Sequence, residues 1–325
     1  MSILVTGATG QLGSAVARAL ADEGRTVRCV VRDKDRLGML DPTGIQLVLG
    51  DVTDLGSMRT AAKGCKQVVH AAGIVSYLSK NRAWQEAVNH HGTRNILDAA
   101  AFADADRVLL TSSIAALGFV PDGQVGDEET AWNWGPYNLG YFETKFSAER
   151  LVLGDTRLEG VAVNPGITMG HSDTNHNGGR ILLQVHQGGP FGVPTGATTV
   201  ASLDDVVQGH LAALDRGISG ERYVLGGHTP SWVELFQAAA QVVGVPPPTR
   251  VLPKWLIKIA GMGALLKGQF SDQEPPLTPA LAEITAKNRR YSSAKAIREL
   301  GYEPKPLVHG LEQCWRWYLD NGHAS

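Results

Sequence analysis

Strand-length apolar runs alternate with helix-length stretches through the first half of this chain, and that alternation limits the possible folds more than any other feature. "SILVTG" is followed by "LGSAVARALADEG". "TVRCVVR", "IQLVLGD", "KQVVHAAG", "RVLLTSS" and "EGVAVNPG" then recur with helical stretches between them, one of these from about 84 to 102. Parallel strands need long crossover connections, which helices supply, so the pattern predicts an α/β protein with a parallel sheet covered on both faces. The runs are apolar along nearly their whole length, as strands buried on both faces should be.

With 325 residues, 43% of them hydrophobic and 19% charged, the chain can bury one large core and a smaller one. After Gly166 the pattern loosens into "GHSDTNHNGGR" and "GGPFGVPTGA". "VASLDDVVQGHLAAL" and "GERYVLGG" then read as a helix and a strand returning to the main sheet, and "PSWVELFQAAAQVVGVPPPTR" opens a second helical block. The expected division is a sheet domain over 1–168 and 197–227, with a smaller, discontinuous, mainly helical region over 169–196 and 228–325. The smaller region should sit above the carboxyl ends of the strands, where open sheets of this kind bind ligands.

Thirty basic residues against thirty-two acidic ones leave a charge of -2, so there is no electrostatic footprint for nucleic acid and no basic stripe for an anionic membrane. The expected partner is a small molecule. "MSILVTGATG" reads as a first strand rather than a leader or anchor. "WLIKIAGMGALL", at 255–266, carries Lys258 and is shorter than the roughly twenty residues of a membrane span, so it reads as a packed or partly exposed helix. Cys29, Cys65 and Cys314 form no CxxC pair, which argues against a disulfide framework or a zinc site and makes the cytoplasm the expected compartment.

"ILVTGATGQLGSAVARAL" places Gly7, Gly10 and Gly13, with Thr9, Gln11 and Leu12 between them, just after a strand and at the start of a helix. A phosphate needs backbone N–H groups and a helix amino terminus free of obstructing side chains, and glycines at this turn provide that approach. The spacing is GxxGxxG, so the large domain is read as dinucleotide-binding on the logic of the motif rather than its letter. Arg32 ends the second strand, followed by Asp33, Lys34 and Arg36. A guanidinium there can clasp a 2′-phosphate, which favours NADP; Asp33 could still reach a free ribose hydroxyl, which leaves NAD open. Asp51 and Val52 end the third strand, where an adenine can be recognised. Ala71, Ala72 and Gly73 end the fourth and are small enough for a cofactor to lie on the backbone.

"LLTSSIAALG" ends the next strand with Thr111, Ser112 and Ser113, and "YFETK" puts Tyr141 and Lys145 one turn apart on a helix face. Together with "NHHGTRNILDAA", "VNPG" and the closing "YSSAKAIRELGYEPKPLVHGLEQCWRWYLDNG", these motifs make the chain similar, over nearly its whole length, to the extended short-chain dehydrogenases/reductases. Within that family it most resembles the dihydroflavonol-reductase-like and epimerase/dehydratase group. The resemblance implies a doubly wound Rossmann fold in which Tyr141 is the general acid and Lys145 supplies the nearby positive charge and holds the nicotinamide ribose. Ser113 would orient the substrate oxygen, with Ser112, pointing to the opposite face, as the fallback. The resemblance also assigns Asn89 to support of the cofactor region, Thr111 to the cofactor's strand-end contacts, Pro165 and Gly166 to the nicotinamide, and a four-helix homodimer.

Apolar candidates for the substrate pocket are Ile114, Trp132, Tyr137, Ile167 and Met169, with Phe119 and Phe191 beside them. Such a lining suits an aromatic or alicyclic ketone or aldehyde better than a nucleotide sugar, whose diphosphate calls for basic groups; Arg180 is one such group. The leading expectation is an NADPH-dependent reductase of a medium-sized carbonyl compound, working reversibly on the alcohol. A nucleotide-sugar epimerase and a 3-beta-hydroxysteroid dehydrogenase-like enzyme are the alternatives. "IAAL" after the serines lacks the acidic pair of the dehydratases. His171 and His176, in a glycine-rich loop without acidic or cysteine partners, make a poor metal site, and no metal is expected.

Overall fold

Seven of the apolar runs hydrogen-bond into one parallel sheet. The computed structural model describes residues 2–268 and 278–324, without the side chains of 263–268, so residues 269–277 of the expected substrate-binding region lie outside the described residues. The strands are β1 Ser2–Thr6, β2 Thr26–Val31, β3 Gln46–Leu49, β4 Cys65–His70, β5 Arg107–Thr111, β6 Glu159–Pro165, β7 Ile167–Met169, β8 Val200–Ser202 and β9 Arg222–Leu225. The large sheet has the order β3-β2-β1-β4-β5-β6-β9, and β7 pairs with β8 in a small sheet of its own. Strand order therefore reverses between β1 and β4, the point at which such sheets open a crevice.

The helices are α1 Gln11–Asp22, α2 Leu55–Ala62, α3 Arg82–Gln85, α4 Gly92–Phe102, α5 Gly140–Leu153, α6 Arg180–His186, α7 Leu203–Arg216, α8 Trp232–Val243, α9 Lys254–Gly268, α10 Pro279–Thr285, α11 Ala294–Leu300 and α12 Leu307–Asp320. Alternate strand residues feed two cores. Ile3, Val5, Val69 and Leu109 pack with α1, α7 and α11 on one face, and Leu4, Val68, Val108 and Leu110 pack with α2, α4 and α5 on the other. Each such fully buried aliphatic side chain contributes about 1.5–3 kcal/mol.

A third core joins Met169, Leu182, Val185, Trp232, Leu235, Leu311 and Tyr318, uniting β7, α6, α8 and α12. The Ser231 and Glu234 capping box starts α8, and Gly244 in the left-handed region ends it. The chain after residue 228 does not stay with this third core. Ala296, Leu300 and Tyr302 are buried with α7 and β9 in the first one, because the apolar side of α11 faces the large sheet. In α9, Trp255 and Ile259 are more than half exposed while Ile257 is buried, and among the described residues no helix is long and apolar enough to cross a membrane.

The helix expected from about 84 begins at Arg82 and is not uniform. α3 runs through a π turn, Glu86–His91, into α4, and the wide turn carries Asn89 into the interior, where it is 2% exposed.

Two buried histidines tie helices to the strand ends beneath the site. Thr6 Oγ1 takes the Ala72 N–H at 3.3 Å and donates to His70 Nδ1 at 2.7 Å; His70 Nε2 then donates to Thr93 Oγ1, and Thr93 to the Asn89 carbonyl. This network assigns His70 as the neutral Nε2–H tautomer. His210 Nδ1 donates to the Val206 carbonyl at 2.7 Å, and its Nε2 accepts from Thr111 Oγ1 at 2.9 Å, fastening α7 to the end of β5. Burial pulls His70 down to about 3, with the Lys145 charge adding to the shift, and pulls His210 down to about 4.

Both folded-state values lie below that of an unfolded histidine, so the unfolded chain binds more protons in acid and stability falls as pH drops below the unfolded value. His210→Gln keeps both hydrogen bonds and loses the titration. Urea unfolding at pH 7 and pH 5 should show the variant losing about 2 kcal/mol less than the parent over that interval. Equal losses would mean that His210 does not bury its neutral form.

Candidate active site

The crevice at the strand reversal is built from backbone. Gly7 has φ +71, and a Cβ there would lie 2.5 Å from the Ala71 carbonyl carbon; a Cβ on Gly13 would lie 2.2 Å from the Gly7 oxygen. No side chain caps α1, whose N-cap is Gly10, so its first amides face outward. A turn of this form accepts a pyrophosphate on free N–H groups at the positive end of the helix. Gln11 reaches across to the His171 carbonyl at 2.7 Å and so lashes the loop after β7 to the start of α1.

Arg32 follows β2, is exposed, and makes no hydrogen bond or ion pair among the described residues. Asp33 caps its own turn through the Asp35 N–H at 2.9 Å. The loop beyond them folds back on the glycine turn, with the Met39 N–H bonded to the Thr9 carbonyl and Gly38 against the same oxygen. Asp51 is occupied locally by Thr53, through both N–H and hydroxyl, while Asn95 holds the Val52 carbonyl at 2.8 Å. Leu12 is half-buried at the start of α1 and packs on the first core.

Ser113, Tyr141 and Lys145 come together at the carboxyl end of β5. The Ser113 hydroxyl lies near enough to the Tyr141 phenol to favour its ionised form and accepts the Ala115 N–H at 3.1 Å, while Ser112 Oγ is buried without a partner. Lys145, 7% exposed, donates to the Thr111 carbonyl at 2.8 Å. Burial pulls Lys145 down to about 8, and Glu149 one turn further on opposes the shift. Burial also pushes the Tyr141 phenol well above its ordinary range, Tyr77 adds to this, and the Ser113 hydroxyl and the Arg289 charge pull it back. The arrangement offers a phenolic proton, a hydroxyl near it and a buried lysine one turn further along the helix, which is the equipment of a general acid acting on a carbonyl oxygen.

Three polar side chains hold this group in place. Asn89 clamps Ile74 through both its N–H, at 2.7 Å, and its carbonyl, at 3.0 Å, and meets Thr144 of α5. Gly73 thereby lies so close to Lys145 Nζ that an added Cβ would come within 3.3 Å of it. Asn164 of β6 bonds the Ser113 carbonyl at 2.9 Å and Glu149 of α5, and Arg222 of β9 pairs with the same carboxylate at 2.7 Å. Pro165 ends β6, and Gly166 beyond it lies against the Thr199 carbonyl.

A cavity of about 700 Å³ opens beside Tyr141, with Tyr77, Leu78, Tyr137, Thr278 and Ala280 on its wall. Of the five residues expected to line a substrate pocket, only Tyr137 is on that wall. It lies in a 3-10 turn before α5 rather than on the Tyr141 helix. Ile114 is buried with Leu117, Val224 and Tyr291. Trp132 stacks on Phe146 with centroids 4.6 Å apart and donates its indole N–H to the Ala115 carbonyl. Met169 is 1% exposed in the third core, and Ile167 packs against that core. Phe119 packs on Trp134, and Phe191 is exposed under Arg250. An apolar residue after a strand serves packing as readily as a pocket, and at Ile114, Ile167 and Met169 packing took it. His176 meets His323 at 3.1 Å, and among the described residues no three His, Cys, Asp or Glu side chains are grouped to hold a metal.

Comparison with known proteins agrees with this architecture. The model of the NAD dependent epimerase/dehydratase family matches residues 3–226. Sterol demethylase protein B of Methylococcus capsulatus is 31% identical over 329 residues, covering 99% of each chain. The 3-beta-hydroxysteroid dehydrogenase of Mycolicibacterium neoaurum is 26% identical over 343 residues, 98% of this chain and 91% of that protein. The crystal structure of gox2253 superposes with a TM-score of 0.85 at 31% identity, covering 100% of this chain and 99% of that one. With its reversed parallel sheet, glycine turn and strand-end site, the chain belongs to the NAD dependent epimerase/dehydratase family of extended short-chain dehydrogenases/reductases, enzymes that are NAD(P)-dependent oxidoreductases.

Proposed function

We propose that the protein is an NADPH-dependent carbonyl reductase, reversible as an alcohol dehydrogenase, acting on a medium-sized aromatic or alicyclic ketone or aldehyde. The observation that carries the reading is the Tyr141 hydroxyl at the wall of a cavity, with Ser113 near it and a buried lysine anchored to the strand end one turn on. Gly7, Gly10 and Gly13 would hold the pyrophosphate, Arg32 the 2′-phosphate, Ala71, Ala72 and Gly73 the dinucleotide's length, and Lys145 the nicotinamide ribose. When bound, the nicotinamide supplies the hydride. Ser113 Oγ orients the carbonyl oxygen, and Tyr141 Oη gives it a proton, so that C=O becomes CH–OH. Lys145 eases that transfer by stabilising the phenolate left behind.

NADP is preferred in this reading because Arg32 is free while Asp33 is engaged in its own turn. A nucleotide sugar fits less well. Of the three cationic side chains lining the cavity, Arg82 pairs with Glu143 and Lys258 with Glu283, which leaves Lys80 as the one cation there without an ion pair among the described residues.

Two outcomes are expected. In an assay of cofactor loss with product followed chromatographically, Tyr141→Phe should lower kcat by about 10²–10⁴-fold and still bind NADPH, whereas unchanged turnover would remove Tyr141 from the chemistry. The parent should prefer NADPH over NADH by about tenfold or more in kcat/KM, and Arg32→Leu should erase the preference by weakening NADPH alone. A parent that prefers NADH would overturn the role given to Arg32.

A further inference from the structure

Arg289 is a buried cation whose hydrogen-bonding capacity the proposed reaction leaves unused. It lies in an extended segment beside 197–199, its N–H bonded to the Ala197 carbonyl and its carbonyl to Thr199 Oγ1, each at 3.0 Å. The residue is 7% exposed. A guanidinium has five N–H donors. The one side-chain hydrogen bond it makes among the described residues runs from Nη2 to Thr198 Oγ1 at 3.2 Å, and Nε is buried without a partner. It forms no ion pair among the described residues, in contrast to Arg82 and Lys258 at the cavity. Thr199, next to its anchor Thr198, lies against Gly166, and Tyr291, two residues on, is buried with Ile114, so the segment that carries the guanidinium passes the strand ends holding Ser113 and Gly166.

A buried cation without a counter-ion is costly, and the usual resolution is an anion that arrives from outside. A planar fork with an open Nε edge matches a carboxylate bidentately. One guanidinium neutralises one negative charge, which suits a carboxylate. We propose that Arg289 recognises a carboxylate carried by the substrate near its carbonyl, so that the natural substrates are keto acids and the corresponding hydroxy acids. This rests on the reductase reading for the reaction, though the anion site can be tested apart from it.

The test measures NADPH-dependent reduction of phenylglyoxylate, benzoylacetate and 3-benzoylpropanoate, each against its methyl ester, with acetophenone as the neutral reference. The full chain, Arg289→Lys and Arg289→Leu are compared. At least one acid should exceed its ester by about a hundredfold in kcat/KM, and Arg289→Leu should remove that advantage, mainly through KM, by lowering the acids far more than the esters. Arg289→Lys should fall between them. The same acids should raise Tm of the NADP-loaded parent more than their esters do, and should not shift Arg289→Leu, whose own Tm should equal or exceed the parent's because an uncompensated charge is gone.

Equal treatment of acids and esters by the parent in both assays overturns the proposal, as does an Arg289→Leu loss shared equally by acids and neutral ketones, which would mean that Arg289 acts only through Tyr141. A parent that turns over no ketone yet is stabilised by acids alone overturns the reductase reading and leaves the carboxylate site standing.

Discussion

The site depends on a close meeting of two backbones. Gly7 after β1 approaches Ala71 after β4 so closely that a single added carbon would lie 2.5 Å from the chain opposite. Because these are the two strands at which the sheet order reverses, their closeness sets the width of the crevice above them. Thr6 and His70, the last residues of the same strands, are bonded to each other beneath it, and the chain of bonds continues through Thr93 to Asn89. The position of the glycine turn and that of the Asn89 clamp are thus parts of one buried arrangement.

From there α5 acts as the ruler of the site. Lys145 is pinned to the end of β5, Thr144 to Asn89, and Glu149 to Asn164 and Arg222, so one helix is fastened to three strands and to the π turn before α4. Each of these bonds contributes about 1 kcal/mol, more where a charge is involved. Their value lies as much in geometry, because a group positioned within a fraction of an ångström by rigid elements need not be ordered again when a substrate arrives.

Much of this was legible in the sequence wherever the signal was local. The glycines, the paired serines and the tyrosine and lysine one turn apart lie within short windows whose spacing points to the chemistry proposed for them, and the structure brings Ser113, rather than Ser112, near Tyr141. What depended on distant neighbours was not legible. Tyr77 and Thr278 reach the cavity from segments some two hundred positions apart. Arg289 sits in "NRRY", which reads as a solvated charge pair until the fold buries it. Ile114 and Met169 illustrate the converse, since apolar residues beside a strand end look the same whether they face a ligand or the core. The π turn had no signature either, and it is what turns Asn89 inward.

The central claim is that the crevice at the strand reversal delivers a dinucleotide to the serine and tyrosine at the end of β5. A crystal structure of the protein with NADP and a ketone analogue tests it most directly. The account predicts the pyrophosphate on the turn of Gly7, Gly10 and Gly13, the 2′-phosphate at Arg32, and the analogue's oxygen within about 3 Å of both Ser113 and Tyr141. A cofactor whose nicotinamide lies away from Tyr141, or whose phosphates bypass the glycine turn, would contradict it.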